Sequence, residues 1–340
     1  MDRIVVFIAT LIFIGGAAIA EPSASVASPP PRARVVIAEE TGAVMAFQAQ
    51  PEKVRAALNR GITFFTGATN AALAWKTLIT TQDVIGIKVV SSPGANSGTR
   101  PSVVSAVVEG LLSAGIAPKK IIIWDRRMSD LRAAGYVEMA AHYKVRVAGS
   151  AETGYDENVF YESPVIGNLV YGDHDFEKKG GGRKSYVSRL VTGEMTRIIS
   201  ISPLLNHNLA GISGHLFSLT MGSIDNMLRF EAPERLATAI PEIYALPALG
   251  DHVILNITDA LLCQYQGEQL SLLHYSTPLN QLWFSKDPVA LDVLGLQELE
   301  RQRRAAMILQ PKANSDLYQN AALLELGNNE IKNIAIQLAP

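Results

Sequence analysis

Polar residues at the ends of apolar runs are the first candidates for chemistry. Asp125 ends the run Ile-Ile-Ile-Trp-Asp, and Asp259 ends Val-Ile-Leu-Asn-Ile-Thr-Asp in the same way. His207 follows a third apolar run, and Lys88 lies within a fourth, Asp-Val-Ile-Gly-Ile-Lys-Val-Val. Such runs are typical of buried strands, and open α/β sheets bind ligands outside the carboxyl ends of their strands. We therefore expect these side chains at one cleft, although Asp125 could instead cap a turn or pair with a neighbouring Arg.

A histidine surrounded by carboxylates suits two kinds of chemistry. His207 would transfer protons near neutral pH, with Asp125, Asp259 and Asp292 as catalytic partners. Alternatively, His207 and Asp125 would bind a divalent metal. Asp292 stands in the apolar stretch 289–294, so it either braces a loop or faces the site, because a buried carboxylate needs partners. Asp287, followed by Pro288, is instead predicted to cap a helix.

The loop Ser-Ser-Pro-Gly-Ala-Asn-Ser-Gly-Thr-Arg, residues 91–100, leads into a helix that begins at Pro101. Free backbone N–H groups and the helix dipole at such a start favour an anion. We therefore predict a small anionic ligand, phosphate or carboxylate, held by Lys88, Thr99, Arg100 and Ser102. The Gly-Lys-Ser/Thr ending of a phosphate-binding P-loop is absent, and an ordinary surface loop is the alternative.

The elements that position these residues follow the order of an α/β fold. A strand near 83–90, a helix from Pro101 and a strand ending at Asp125 form one βαβ unit, which requires parallel pairing. The stretch 129–143 is predicted as one helix. Residues of about 150–190 alternate weakly and predict a small antiparallel insertion. The sequence thus predicts a mainly parallel central sheet with flanking helices.

The first 34 residues have a composition different from the rest. Residues 1–20 carry Arg3, an apolar run and Ala18-Ile19-Ala20, the order of a secretory signal peptide. Cleavage is predicted after Ala20, with residues 21–34 as a Pro/Ser/Ala-rich tether and 35–340 as a single domain. We expect a periplasmic or secreted protein with no stable membrane span after cleavage; a retained anchor is the alternative.

Composition excludes several classes of protein. The net charge of −2 gives no broad basic surface for nucleic acid. One cysteine, Cys263, cannot form an internal disulfide or hold an iron–sulfur cluster. The identity of any cofactor stays open.

Several blocks, in order, resemble the family called domain of unknown function 362, across roughly residues 80–340. They include the Ile-Lys strand, the segment from Thr99, the Asp-ended strand at Asp125, and Lys-Asp-Pro-Val-Ala-Leu-Asp at 286–292. The resemblance implies the fold and these positions but no activity.

Two departures from that family bear on function. Members usually have Lys-x-His where this chain has Leu205-Asn206-His207, and a Lys-Asn pair where it has Phe217-Ser218. These changes favour a protein that binds a ligand or cofactor without turning it over. An enzyme that uses the same cleft, and a structural scaffold of the cell envelope, are the other hypotheses.

Overall fold

The computed structural model describes residues 32–163, 182–309 and 314–340. The predicted signal peptide, most of the tether and the middle of the predicted insertion lie outside these ranges. The strands are β1 (Ala33–Glu39), β2 (Val44–Met45), β3 (Gln48–Ala49), β4 (Ile85–Lys88), β5 (Ile121–Asp125), β6 (Arg146–Gly149), β7 (Tyr155–Glu162), β8 (Lys184–Ser188), β9 (Arg197–His207), β10 (Gly211–Ile212), β11 (Val253–Gln264), β12 (Ser276–Ser285) and β13 (Ile334–Leu338). The helices are α1 (Pro51–Thr66), α2 (Ala71–Lys76), α3 (Gly94–Ser97), α4 (Pro101–Ser113), α5 (Met128–Ala133), α6 (Tyr136–Tyr143), α7 (Ser150–Thr153), α8 (His215–Ser223), α9 (Pro233–Tyr244), α10 (Pro288–Ala305) and α11 (Ser315–Leu323).

The central sheet has the strand order β13-β1-β12-β11-β9-β4-β5-β6, and β10 pairs separately with β9. Strands β11, β9, β4, β5 and β6 are parallel to one another, and so are β1 and β13. Only β12 runs antiparallel to both of its neighbours on this path. The predicted α/β fold with a mainly parallel sheet is therefore confirmed.

Helices cover both faces of the sheet. On one face, α1, α2, α4, α5 and α6 contribute buried residues to a single core. On the other face, α8, α9, α10 and α11 do the same. The strands β4 and β5 are buried along their whole length, as expected of parallel strands that are covered on both sides.

Two local predictions differ in outcome. The stretch predicted as one helix at 129–143 is two, α5 and α6, because Gly135 adopts a φ of +85° between them. A left-handed residue cannot continue a right-handed helix, and glycine takes this conformation at little cost. The N-cap prediction for Asp287 is confirmed, since its side chain accepts a hydrogen bond from the Ala290 amide at 2.8 Å.

The predicted insertion begins and ends as an antiparallel pair, β7 with β8. The buried guanidinium of Arg229 lies against the ends of this pair and donates to the carbonyls of Tyr161 and Ser163 from one side and Gly182 and Arg183 from the other. Within the described ranges, no helix is both long and apolar enough to cross a bilayer.

Candidate functional site

The sheet opens a crevice between β4 and β9. Both strands are parallel neighbours, but the chain leaves β4 towards α4 on one face and leaves β9 towards α8 on the other. Loops that diverge to opposite faces leave a gap at the carboxyl ends of the two strands, which is where open α/β sheets bind ligands. The topology therefore predicts a site beside Lys88 and His207.

A cavity of about 300 Å³ occupies this position, at the small end of the range for ligand sites. It is lined by Lys88, Val90, Ser92, Asp125, Arg126, Arg127, Asp130, His207, Leu209, Ser213, Phe217, Ser218, Met221, Gly222, Met227, Phe230, Glu231, Leu236 and Gln269. Three of the residues singled out from the sequence, Lys88, Asp125 and His207, thus meet at one cavity.

Lys88 and Asp125 form a buried ion pair at this cavity. The Lys88 Nζ lies 2.8 Å from Asp125 Oδ1 and also donates to the Val89 carbonyl at 2.6 Å. Asp125 Oδ2 accepts hydrogen bonds from the Ser91 amide and hydroxyl at 2.8 and 2.6 Å. The opening of the loop that follows β4 therefore holds the carboxylate that ends β5.

The pKa of Asp125 reflects two opposed influences. Burial, the larger single influence, raises it, but the charge of Lys88 and the hydrogen bonds from Lys88 and Ser91 together lower it below its usual 3.8. Asp125 is consequently an ionised partner of Lys88 at neutral pH and a weak base.

Helix α8 approaches this pair at Gly222. A Cβ on Gly222 would lie 2.3 Å from Lys88 Cε, 2.9 Å from Lys88 Nζ and 3.3 Å from Asp125 Oδ1. The first two distances leave no room for a side chain between helix and ion pair. The helix can form a wall of the cavity only because residue 222 is glycine.

His207 is held in one protonation state. Its Nδ1 accepts hydrogen bonds from the amides of Leu209 and Ala210, at 3.3 and 3.1 Å. A neutral imidazole carries its single proton on the other nitrogen when Nδ1 accepts, so Nε2 is a donor. Burial lowers the pKa of His207, against the opposing influence of Glu268. The side chain therefore carries an N–H group at Nε2, and its Nδ1 lone pair is already used, so it is poorly arranged to act as a base.

The structure places four other predicted residues away from the cavity. Asp259 accepts from the Arg100 amide and from its guanidinium, both at 2.9 Å. Thr99 donates to the Ile201 carbonyl at 2.7 Å, and Ser102 lies beside a separate surface depression with Glu109 and Tyr143. The carboxylate of Asp259 thus occupies the start of α4, where the sequence predicted an external anion.

Asp292 is the fifth predicted residue outside the cavity lining. Its two oxygens accept from the amides of His215 and Leu216, at 2.7 and 3.0 Å, at the beginning of α8. Burial raises the pKa of Asp292 to about 7, although these two amides act in the opposite direction. Asp292 therefore braces the helix that forms the cavity wall, one of the two roles expected for it.

Two further side chains fix α8 on the sheet. His215 is fully enclosed between Ser200, 2.9 Å from its Nδ1, and Thr258, 3.1 Å from its Nε2, and burial lowers its pKa to about 3. Ser218 meets Ser202 at 2.8 Å. Both members of the Phe217-Ser218 pair line the cavity, so the departure noted in the sequence falls within the site.

The sequence did not indicate most of the cavity wall. Met221, Met227, Phe230 and Leu236 line it, but in the sequence they resemble ordinary core residues of helical segments. Arg126 and Arg127 follow Asp125 directly, and the sequence predicts them only as possible ion-pair partners of that carboxylate. Their position directly after the end of a strand was the sequence feature that could have indicated a place beside the cavity.

The metal hypothesis rests on His207 and Asp125, which share the cavity lining. Within the ranges described, no three His, Cys, Asp or Glu side chains cluster closely enough to hold a metal ion. The Nδ1 atom of His207 and both oxygens of Asp125 already accept hydrogen bonds, and Nε2 carries the ring proton, so in this tautomer neither ring nitrogen offers a lone pair to a metal.

Comparison with known proteins identifies the family. The family model described as Domain of unknown function (DUF362) matches residues 85–297, more than half of the chain. No curated protein matches the chain. A crystal structure of a protein from Thermotoga maritima, from the Northeast Structural Genomics Consortium, is similar at 12% identity and a TM-score of 0.37, over 78% of this chain and 61% of that one. This chain therefore spans about three fifths of that protein's length. By the family match, the chain belongs to the DUF362 family.

Proposed function

We propose that this protein binds a small molecule with an anionic group in the cavity at the carboxyl ends of β4, β5 and β9. The observation that carries the proposal is the ammonium group of Lys88, which lines the cavity with the residue only 1% exposed. Among the described residues, Asp125 and the Val89 carbonyl accept hydrogen bonds from it. An ammonium group has three donors, so one is left for a ligand.

Other donors in the lining support an oxygen-rich ligand. His207, with its proton on Nε2, and Ser213 and Ser218 line the same cavity as Lys88. Arg126 and Arg127 add positive charge to the lining, and Asp130 and Glu231 add negative charge. A carboxylate or phosphate group at Lys88 would be the most favourable occupant, because hydrogen bonds between charged partners are the strongest ones.

Binding without turnover is the function that these residues support best. Lys88 and Asp125 neutralise each other, and His207 offers a proton and no lone pair on Nε2. A general base would need an available lone pair near the reacting atom. The anion would thus be recognised by donors that are already oriented.

We also propose that the protein is exported, with residues 1–20 removed after Ala20. The support is the order of basic, apolar and small residues at the N-terminus. The mass of the mature protein purified from the periplasm tests this directly: a chain that begins at Glu21 is the expected result, and a chain that begins at Met1 contradicts it.

Native mass spectrometry of that protein, purified without chelators, tests the binding proposal. Acetate and inorganic phosphate are the probes, and elemental analysis of the same sample tests for a bound metal. We expect an anion adduct that is lost in Lys88→Met and in the double variant Lys88→Met/Asp125→Asn, which leaves no unpaired charge.

Lys332→Met is the matched control, because the side chain of Lys332 is 76% exposed and lies outside the cavity lining. It should keep the adduct. An adduct that persists in both Lys88 variants would contradict the proposal, and so would the absence of any anion adduct in the wild-type protein.

A further inference from the structure

The cavity has two chemically different walls. The ends of β4 and β5 and the segment that follows β5 supply a polar wall, with Lys88 and residues 125–127 and 130. The segment from 209 to 236 adds Ser213, Ser218 and Glu231, but most of its lining residues form an apolar wall, which consists of Leu209, Phe217, Met221, Met227, Phe230 and Leu236. An inorganic anion would fill only the first of these and leave the second in contact with water.

The apolar wall is part of the hydrophobic core. Phe217 and Met221 are four residues apart on α8 and so lie on one side of that helix. Met221, Phe230 and Leu236 are each at least 95% buried and belong to the core on this face of the sheet. The wall is therefore rigidly supported, and the methionines can adapt to the shape of an apolar group.

Phe217 joins the two walls. Its ring centroid lies 4.1 Å from that of His207, with 44° between the ring planes. A group that accepts a hydrogen bond from His207 Nε2 would have its next atoms close to the Phe217 ring.

From this geometry we infer that the ligand is a small amphiphile. Its carboxylate or phosphate head binds Lys88 and His207, and its alkyl or aryl part packs on the wall from Phe217 to Leu236. The inference rests on the proposed function and adds the chemical class of the ligand. The cavity of about 300 Å³ corresponds to about ten water-sized volumes of about 30 Å³. The ligand should therefore have about ten non-hydrogen atoms.

The inference predicts how affinity depends on chain length. Burial of one methylene group contributes about 0.8 kcal/mol, which is about fourfold in affinity. Across the linear carboxylates, the dissociation constant should fall by about that factor per methylene from acetate to octanoate. It should then level off at decanoate, which has more atoms than the cavity holds.

Isothermal titration calorimetry of the full mature protein with acetate, butyrate, hexanoate, octanoate and decanoate tests the inference. A parallel series of n-alkyl phosphates distinguishes the two possible heads. Equal affinity along the series would overturn the amphiphile but leave the anion proposal standing. No binding of any member would overturn both, and a rise in affinity that continues unchanged from octanoate to decanoate would contradict this cavity as the place of the chain.

Phe217→Ser supplies the test by mutation, because Phe217 is only half-buried and its truncation leaves the fully buried core intact. The variant should lower the gain per methylene, so that the affinities for acetate and octanoate differ less than in the wild type. Leu323→Ser, at a side chain that is 80% exposed on α11, is the matched control and should bind the whole series as the wild type does. The same chain-length dependence in both variants would overturn the inference.

Discussion

Removal of Asp125 alone should destabilise the protein at least as much as removal of both members of the Lys88–Asp125 pair. Asp125→Asn leaves a buried ammonium whose remaining acceptor is the Val89 carbonyl. Lys88→Met leaves a carboxylate that still accepts two hydrogen bonds from Ser91. The double variant leaves neither charge in the interior.

The expected magnitudes follow from the burial of both groups, whose side chains are 2% and 11% exposed. Breaking a buried pair by removing one partner costs about 3–5 kcal/mol in the free energy of unfolding. We expect Asp125→Asn in this range and Lys88→Met below it, because Ser91 continues to solvate Asp125. The double variant should cost no more than Asp125→Asn alone, which gives a coupling energy of about 1–3 kcal/mol between neighbours.

Lys88→Met should also change the sign of a pH dependence. In the wild type the folded-state pKa of Asp125 is lowered below 3.8, so its contribution to stability is present above pH 3.8 and lost as the pH falls through the folded value. Without Lys88, burial dominates and raises that pKa. The contribution of Asp125 is then greatest below pH 3.8 and is lost as the pH rises through the raised value.

Urea unfolding of the four proteins, followed by circular dichroism at several pH values between 4 and 7, measures both effects. The difference between wild type and Lys88→Met should grow as the pH rises. Additive costs, or a difference that shrinks with rising pH, would refute the view that each charge depends on the other.

Three further predictions concern α8. Gly222→Ala should abolish anion binding in the native mass-spectrometry assay, because its methyl group would displace the Lys88 ammonium. His215→Gln should make the free energy of unfolding depend less on pH in acid. The pKa of His215 is lowered from 6.5 to about 3, so its contribution to stability is present above pH 6.5 and is lost as the pH falls towards 3. Unfolding measured at a series of acidic pH values tests this. Asp292→Ala should cost about 0.5–2 kcal/mol in urea unfolding, as loss of a helix N-cap does; an unchanged midpoint would show that water replaces its carboxylate.

The sequence was sufficient to predict the sheet and the edge at which the cavity lies. Asp125 ends one apolar run and Lys88 lies within another, and the βαβ order places both at the carboxyl ends of parallel strands. Asp292 was recognisable as a polar residue within an apolar turn, and the structure selects bracing from its two expected roles.

The contact between the Asp259 carboxylate and the beginning of α4 was not predictable in the same way. Asp259 and Arg100 are 159 residues apart, and a strand end gives no sign of which loop its carboxylate will meet. The apolar wall was missed for a related reason, since a leucine or methionine that faces a cavity has the same helical spacing as one that faces the core. The spacing of apolar residues along the sequence reveals which side of a helix or strand is buried, but not whether that side faces packed side chains or a cavity.

The attachments of α8 bear on the thermodynamics of recognition. Asp292 fixes its first turn, His215 joins it to two strands, and the Ser218 hydroxyl meets Ser202. Hydrogen bonds are directional, so they specify one rotation and one position of the helix on the sheet, where apolar contacts alone would tolerate sliding. Ordering a loose side chain on association costs about 0.5–1.5 kcal/mol, and for this wall that cost is met during folding. A ligand that enters should therefore bind with a small entropic penalty from ordering of the protein. The selectivity of the cavity should also change little with temperature, whereas a wall held only by apolar packing would loosen.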